Sequence, residues 1–205
     1  MNISELLAEV YYQNEDTREG WCTPTRSGLL ARTIYNNKLT NCLVIGVFAG
    51  KSTFAVATAL KAIGRGNVDA CDAWLPSASA VGQEGKDAEW WKTLDHEAIY
   101  NIFMEKRTKY GLEQFITVHR MTNRELYPLV KNKVYDYAEI DGNHGEEDCT
   151  FDVEHFVPLL RVGGILWADD LNWSGADKAY ARLPALGMKK IGELDTGALF
   201  IKEKS

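Results

Sequence analysis

Apolar positions along the chain fall into two alternating patterns, short apolar runs and amphipathic stretches with helical spacing. The apolar runs predict buried strands, and they are CLVIG, VDACD, FITVHRM, VYDYAEI and GGILWA. The amphipathic stretches predict helices over residues 2–12, 25–38, 51–63, 87–110, 145–160 and 174–186, with a short helix after Thr122. Strands that alternate with helices predict a Rossmann-like α/β fold, a doubly wound parallel sheet with helices on both faces.

The end of the chain departs from this alternation. MKKIGEL and GALFIKE predict a closing antiparallel hairpin, so the sheet should be mixed and contain about seven strands. Residues 73–86 are rich in Ala, Ser and Gly and predict a loop. Because the sequence has no repeat, linker or low-complexity tract, we expect a single domain over residues 1–205, with an N-terminal helical segment at residues 1–38.

The composition and charge of the chain exclude some classes of function. The net charge is −6 and no Lys/Arg run forms a basic stripe, so we expect no nucleic-acid partner. No apolar stretch approaches the roughly 18 residues needed to span a bilayer, and the first residues lack the features of a signal peptide. The four cysteines include no CxxC pair, which favours free thiols and a cytoplasmic setting. A homo-oligomer is compatible with the sequence, which does not specify an oligomeric state.

Carboxylates follow two of the predicted strands. Asp141 comes directly after YDYAEI, and Asp169 and Asp170 come directly after GGILWA. Because strand ends on one edge of a parallel sheet converge, these groups should lie together with His144 beside them. Like charges this close require a cation or a bound proton, and their hard oxygens suit Mg²⁺ or Mn²⁺ better than Zn²⁺. The alternative for the aspartate pair is simple helix capping, and for His144 a surface position.

A glycine-containing turn follows the first strand. Glycines allow close backbone approach to a ligand, and the next helix supplies free N–H groups. A dinucleotide fingerprint would need a glycine where Phe48 stands, and a phosphate-binding loop would need one more residue between Gly46 and Gly50. An adenosyl cofactor without a pyrophosphate needs fewer glycines, and a plain tight turn is the remaining alternative. The candidate ligand-binding residues of this turn are Gly46, Val47, Phe48, Gly50 and Ser52.

Three further positions are candidates for contact with a nucleoside. Asp72 ends the second strand, where a carboxylate can accept both ribose hydroxyls, although strand-end aspartates also act as caps. Trp74 offers an aromatic face for a base, or packs in the core. Thr122 follows the third strand, where it can meet a base edge or cap the next helix.

These motifs resemble the class I S-adenosylmethionine-dependent methyltransferases, most closely a branch of sugar and small-molecule O-methyltransferases. The resemblance covers residues 21–186 and is carried by VIGVFAGKS, DAW, IDGNH and GGILWADD. One position departs from the family: Val44 stands where an acid usually meets the methionine amino group.

The resemblance implies the strand order 3-2-1-4-5-7-6 with an antiparallel last strand. It implies that S-adenosylmethionine contacts the glycine turn, Asp72, Trp74, Thr122 and Asp141. It also implies Mg²⁺ or Mn²⁺ at Asp141, Asp169 and Asp170, with His144 as general base and Asp141 as a second catalytic residue.

The function expected from the sequence is therefore metal-assisted O-methylation of a saccharide or another small hydroxylated acceptor. Two alternatives stay open. One is a non-catalytic adenosyl-binding protein, which the departure at Val44 suggests. The other is a metal-dependent hydrolase or hydroxylase-like enzyme that uses the aspartates without a methyl donor.

Overall fold

The computed structural model describes residues 1–82 and 85–204. Its strands are β1 (Asn41–Ile45), β2 (Asn67–Asp72), β3 (Ile116–Arg120), β4 (Tyr135–Ile140), β5 (Leu160–Ala168), β6 (Met188–Leu194) and β7 (Gly197–Lys202). Its helices are α1 (Ile3–Asp16), α2 (Pro24–Asn37), α3 (Lys51–Ile63), α4 (Pro76–Ser79), α5 (Gly85–Thr93), α6 (His96–Lys109), α7 (Asn123–Val130), α8 (Glu146–Phe156) and α9 (Ser174–Tyr180).

The strands form one seven-stranded sheet in the order β3-β2-β1-β4-β5-β7-β6. Strands β1 to β5 pair in parallel, and β7 pairs antiparallel with both β5 and β6. The predicted fold class, strand order and antiparallel last strand are confirmed. Since the strand order reverses between β1 and β4, a crevice opens at their carboxyl ends, where open α/β sheets bind ligands.

Helices cover both faces of the sheet because alternate strand residues point to opposite sides. On one face, Val44, Phe54 and Trp167 belong to a core formed with α1, α2, α3 and α6. On the other face, Leu43 and Ile140 belong to a core formed with α7, α8 and α9. The N-terminal helices α1 and α2 pack against each other and against α3.

The predicted helix over residues 87–110 is wrong in one respect, because the structure divides it into α5 and α6. The Asp95 side chain accepts a hydrogen bond from the Ala98 N–H (2.9 Å) and so caps α6. An aspartate in a helix interior competes with the backbone in this way, and here the competing arrangement is adopted. The predicted loop over residues 73–86 contains the short helix α4, and residues 83 and 84 lie outside the described residues.

Two other predicted helices end earlier than expected. Helix α8 ends at Phe156 and continues as a 3-10 turn containing Pro158. Helix α9 ends at Tyr180 and is followed by a 3-10 turn containing Pro184. Proline lacks the N–H that an α-helix interior needs, which accounts for both changes.

None of the helices in the described part of the chain has the length and apolar character needed to cross a bilayer. All four cysteines are buried and free.

The backbone at Gly46, after β1, lies very close to the backbone at Asp141, after β4. The φ of Gly46 is +87°, and a Cβ there would lie 1.9 Å from the Asp141 carbonyl oxygen. Gly64 has a similar φ of +84° but open space around it. We expect Gly64→Ala to lower the free energy of unfolding by about 1–2 kcal/mol through backbone strain alone. Gly46→Ala should lower it by at least about 3 kcal/mol because backbone must also move. Urea unfolding measures both, and equal losses would contradict the close approach.

Candidate active site

A cavity of about 1050 Å³ lies at the carboxyl ends of β1, β2, β4 and β5. It brings together residues from distant parts of the chain. All the site residues predicted from the sequence line it, namely Gly46, Val47, Phe48, Gly50, Ser52, Asp72, Trp74, Thr122, Asp141, His144, Asp169 and Asp170.

Asp72 holds the glycine turn in place. Its Oδ2 accepts hydrogen bonds from the Val47 N–H (3.0 Å) and the Phe48 N–H (2.9 Å), and its Oδ1 accepts one from the Trp74 N–H (2.8 Å). Phe48 and Trp74 both have positive φ (51° and 45°), a conformation that costs energy in residues other than glycine. A carboxylate has about four lone-pair sites, so Asp72 can still accept a hydrogen bond from a hydroxyl group.

Trp74 supports this turn from inside the core. Its side chain is 2% exposed and packs against Tyr100 and Phe103. Its Nε1–H donates to the Phe48 carbonyl oxygen (2.9 Å). Trp74 therefore borders the cavity mainly as a buried support for Phe48.

Four aromatic rings that line the cavity form a cluster, which we call the aromatic mouth: Trp21, Phe48, Trp90 and Trp91. The ring centroid of Trp21 lies 5.1 Å from that of Phe48 and 5.5 Å from that of Trp90. Trp21 is 62% exposed although it takes part in this cluster. The rings come from three separate segments, so a local sequence pattern does not show that they meet.

Asp141, His144 and Asp170 form a group whose candidate ligand atoms lie within 4.8 Å of one another. The His144 Nε2 lies 2.5 Å from the Asp170 Oδ2, and the imidazole stacks on Trp173 with 4.7 Å between ring centroids. Burial and the neighbouring carboxylates of Asp169 and Asp170 raise the pKa of Asp141 well above its ordinary value. The group thus combines excess negative charge with a nitrogen base.

Asp169 is held differently from its neighbour. Arg26 of α2 donates through Nη1 to the Asp169 Oδ2 and through Nη2 to the Thr196 Oγ1 (3.1 Å). The Asp169 Oδ1 accepts from the Thr196 hydroxyl (3.2 Å) and the Asp170 N–H (2.9 Å). Sequence reasoning missed Arg26, since an arginine on an amphipathic helix gives no local sign that it will pair with a residue 143 positions away.

Glu139 is a second residue that the sequence did not single out. It lies opposite Val44 in the β1–β4 register and is fully buried. The Tyr137 hydroxyl donates to its Oε2 (3.1 Å). Burial raises the pKa of Glu139 to about 7. Strand β1 has no acid at position 44, but the neighbouring strand β4 has one, Glu139, directly opposite that position.

Asp152 of α8 is a third such residue, and it lines the cavity near α7. It is fully buried, and the Asn123 Nδ2–H donates to its Oδ1 (2.6 Å). Its Oδ2 has no hydrogen-bond partner among the described residues. Burial raises the pKa of Asp152 to about 8.

The raised pKa of Asp152 makes the free energy of unfolding depend on pH. The folded protein holds the Asp152 proton more tightly than the unfolded chain, so the stabilisation is complete at low pH and is lost as pH rises toward about 8. The free energy of unfolding of the wild type, relative to that of Asp152→Asn, should fall by roughly 1.4 kcal/mol per pH unit between about pH 4 and about pH 8.

Urea unfolding at a series of pH values measures this difference. Glu154→Gln is the matched control, because Glu154 lies on the same helix but is exposed and paired with Arg182. A difference between wild type and Asp152→Asn that does not change with pH would contradict the raised pKa.

The comparisons with known proteins agree with this geometry. The sequence model of a family described as a methyltransferase domain matches residues 43–171, more than half of the 205-residue chain. A comparison with curated protein sequences found no match.

Solved O-methyltransferases share the fold. NovP aligns with a TM-score of 0.70 at 14% identity, covering 98% of each chain. TomG from Streptomyces achromogenes, involved in tomaymycin synthesis and solved in complex with SAM, aligns with a TM-score of 0.68 at 14% identity, covering 98% of this chain and 90% of that one. An O-methyltransferase from Bacillus cereus in complex with SAH aligns with a TM-score of 0.66 at 17% identity, covering 98% and 91%. These structures share the fold of this chain, and the match over residues 43–171 shows that the chain belongs to the family described as a methyltransferase domain.

Proposed function

We propose that this protein transfers the methyl group of S-adenosylmethionine to a hydroxyl group of a small acceptor such as a saccharide, assisted by Mg²⁺ or Mn²⁺. The observation that carries this proposal is the single cavity shared by the glycine turn and the group of Asp141, His144 and Asp170. A methyl donor and an activated hydroxyl must meet in one pocket, because transfer needs the acceptor oxygen in line with the sulfonium methyl.

The cofactor would lie along the ends of β1 and β2. Gly46, Val47, Phe48, Gly50 and Ser52 supply backbone and the start of α3, and Asp72 supplies the acceptor for ribose hydroxyls. Thr122 lines the same cavity and caps α7. TomG and the Bacillus cereus enzyme, which share this fold, were solved with SAM and SAH respectively.

The residues around Asp141 fit a divalent cation. A divalent cation would reduce the repulsion by which the neighbouring carboxylates raise the pKa of Asp141. Asp141 and Asp170 also offer the hard oxygen atoms that such an ion prefers as ligands. We propose these two as direct ligands. Asp169, the third ligand predicted from the sequence, is bonded to Arg26, Thr196 and the Asp170 N–H, and we propose that it mainly orients Asp170. The bound ion would lower the pKa of the acceptor hydroxyl.

His144 is the proposed general base. Its Nε2 lies among the carboxylates, Asp170 orients it, and Trp173 holds the ring plane by stacking. Because the Nε2–H donates to the Asp170 carboxylate, the free lone pair of the neutral imidazole is on Nδ1, which has no partner among the described residues, and proton transfer is assigned to Nδ1. The aromatic mouth offers flat apolar faces to the C–H surface of a sugar or a similar small acceptor.

The role of His144 predicts a selective loss of rate. His144→Gln should lower kcat by about 10²–10⁴-fold, because the acceptor proton loses its base, while the Kd for S-adenosylhomocysteine stays unchanged. Kinetics on a methyl acceptor and calorimetry measure the two quantities. His155→Gln is the control, since His155 lies on α8 and bonds to the Phe151 carbonyl. An equal loss of cofactor affinity in His144→Gln would indicate a structural role.

The role of Asp141 predicts a change in metal affinity. Asp141→Asn should raise the Kd for Mg²⁺ by at least about tenfold and lower turnover, because one ligand charge is lost. Calorimetry with S-adenosylmethionine, with and without Mg²⁺, separates the alternatives. Cofactor binding without any metal effect would leave a metal-free methyltransferase or a non-catalytic adenosyl-binding protein. Absence of cofactor binding at millimolar concentration would refute methyl transfer and leave the hydrolase-like alternative.

A further inference from the structure

Residues 75–82 form one wall of the cavity with little support from the apolar core. We call this stretch, which contains α4, the wall segment. Leu75 and Val81 line the cavity, yet their exposed fractions are 48% and 52%. Helix α4 itself has no buried residue. Because burial of apolar surface contributes little here, the position of the wall segment depends on polar contacts.

The side chain of Asn143, in the loop between β4 and α8, supplies these polar contacts. Its Nδ2 donates to the carbonyl oxygens of Val81 (2.6 Å), Ala78 (3.1 Å) and Ser79 (3.4 Å). We call these three hydrogen bonds the tether. In the part of the chain that the structure describes, they are the hydrogen bonds that join the wall segment to the rest of the protein. The last carbonyl groups of a helix have no partner within it, so the tether satisfies groups that would otherwise need water.

The other end of the same amide holds the loop that carries the proposed base. The Asn143 Oδ1 accepts a hydrogen bond from the Gly145 N–H (2.7 Å), so the side chain bridges the backbone on both sides of His144. The two backbones are also in close contact, since a Cβ on Gly82 would lie 3.1 Å from the Gly145 Cα. One amide therefore connects the wall segment to the loop of Asp141 and His144.

We propose that Asn143 is a positioning residue that fastens the wall segment to the loop of Asp141 and His144 and thereby keeps the cavity closed around its ligand. The part that concerns the ligand rests on the proposed function, because it assumes that an adenosyl cofactor occupies the cavity. The wall segment begins three residues after Asp72, the proposed acceptor for the ribose hydroxyls. Segments with few buried contacts open more readily than the core, and such opening controls the release of bound molecules.

Two variants separate the tether from the local turn at Gly145. Asn143→Ala removes both ends of the amide. Asn143→Asp keeps an oxygen for the Gly145 N–H but places its second oxygen against the carbonyl groups of the wall segment, so only the tether is lost. Asn132→Ala is the matched control, because Asn132 is exposed in the turn after α7.

Hydrogen exchange followed by mass spectrometry measures the wall segment directly and needs no ligand. We expect the amides of residues 75–82 to exchange at least about tenfold faster in Asn143→Ala and Asn143→Asp than in the wild type and the control, while the strands keep their protection. A thermal melt verifies that each variant is folded. Exchange at the wild-type rate in either folded variant would overturn the proposal.

Stopped-flow tryptophan fluorescence with S-adenosylhomocysteine measures the consequence for binding. We expect the dissociation rate constant to rise about tenfold in both variants and the association rate constant to change less than about twofold, because the loosened wall segment opens more often around the bound molecule. A general loss of structure would instead lower the amount of binding-competent protein. Unchanged dissociation would overturn the proposal and leave the proposed function intact.

The wild-type protein provides a test that does not depend on any variant. Saturating S-adenosylhomocysteine should slow exchange in the wall segment, because a closed cavity opens less often when it is occupied. Exchange that does not respond to the bound molecule would overturn the proposal. If the wild type does not bind S-adenosylhomocysteine, the proposed function is refuted, and the exchange rates of the variants still decide whether Asn143 holds the wall segment.

Discussion

The repulsion between carboxyl groups at the ends of β4 and β5 is the constraint on which this site depends. Asp141, Asp169 and Asp170 converge there, and Glu139 lies buried just below on β4. Arg26 offsets part of this charge by pairing with Asp169, and it comes from α2, so the N-terminal helices complete the site as well as covering the sheet. Asp141 and Asp170 remain beside His144 with their candidate ligand atoms within 4.8 Å of one another, and in the proposed function a divalent cation would offset the repulsion between them.

Backbone strain lies at the same strand ends. Phe48, Trp74 and Asp170 follow β1, β2 and β5, and each has a positive φ. Hydrogen bonds hold these conformations: Asp72 accepts from the amides of Phe48 and Trp74, and Asp169 accepts from the amide of Asp170. Strained residues persist where the surroundings over-determine them, as at binding sites. The strand-end aspartates therefore act on the backbone as well as on ligands.

The cavity contains two acids with raised pKa values, the half-buried Asp141 and the fully buried Asp152. Burial and the neighbouring carboxylates of Asp169 and Asp170 raise the pKa of Asp141 well above its ordinary value. Asp152 accepts a hydrogen bond from the Asn123 amide at Oδ1, and burial raises its pKa to about 8.

The sequence by itself determined the alternation of strands and helices, the glycine turn, the capped start of α7 and the acids after β4 and β5. These features depend on short-range periodicity, capping and turn chemistry, which a local pattern contains. Only the tertiary structure decided that Arg26 pairs with Asp169, that Glu139 lies opposite Val44, and that Asp152 faces a cavity. A charged residue on an amphipathic helix or in an apolar strand has the same local pattern whether it ends in solvent or in a buried pair, because its environment comes from packing between distant segments.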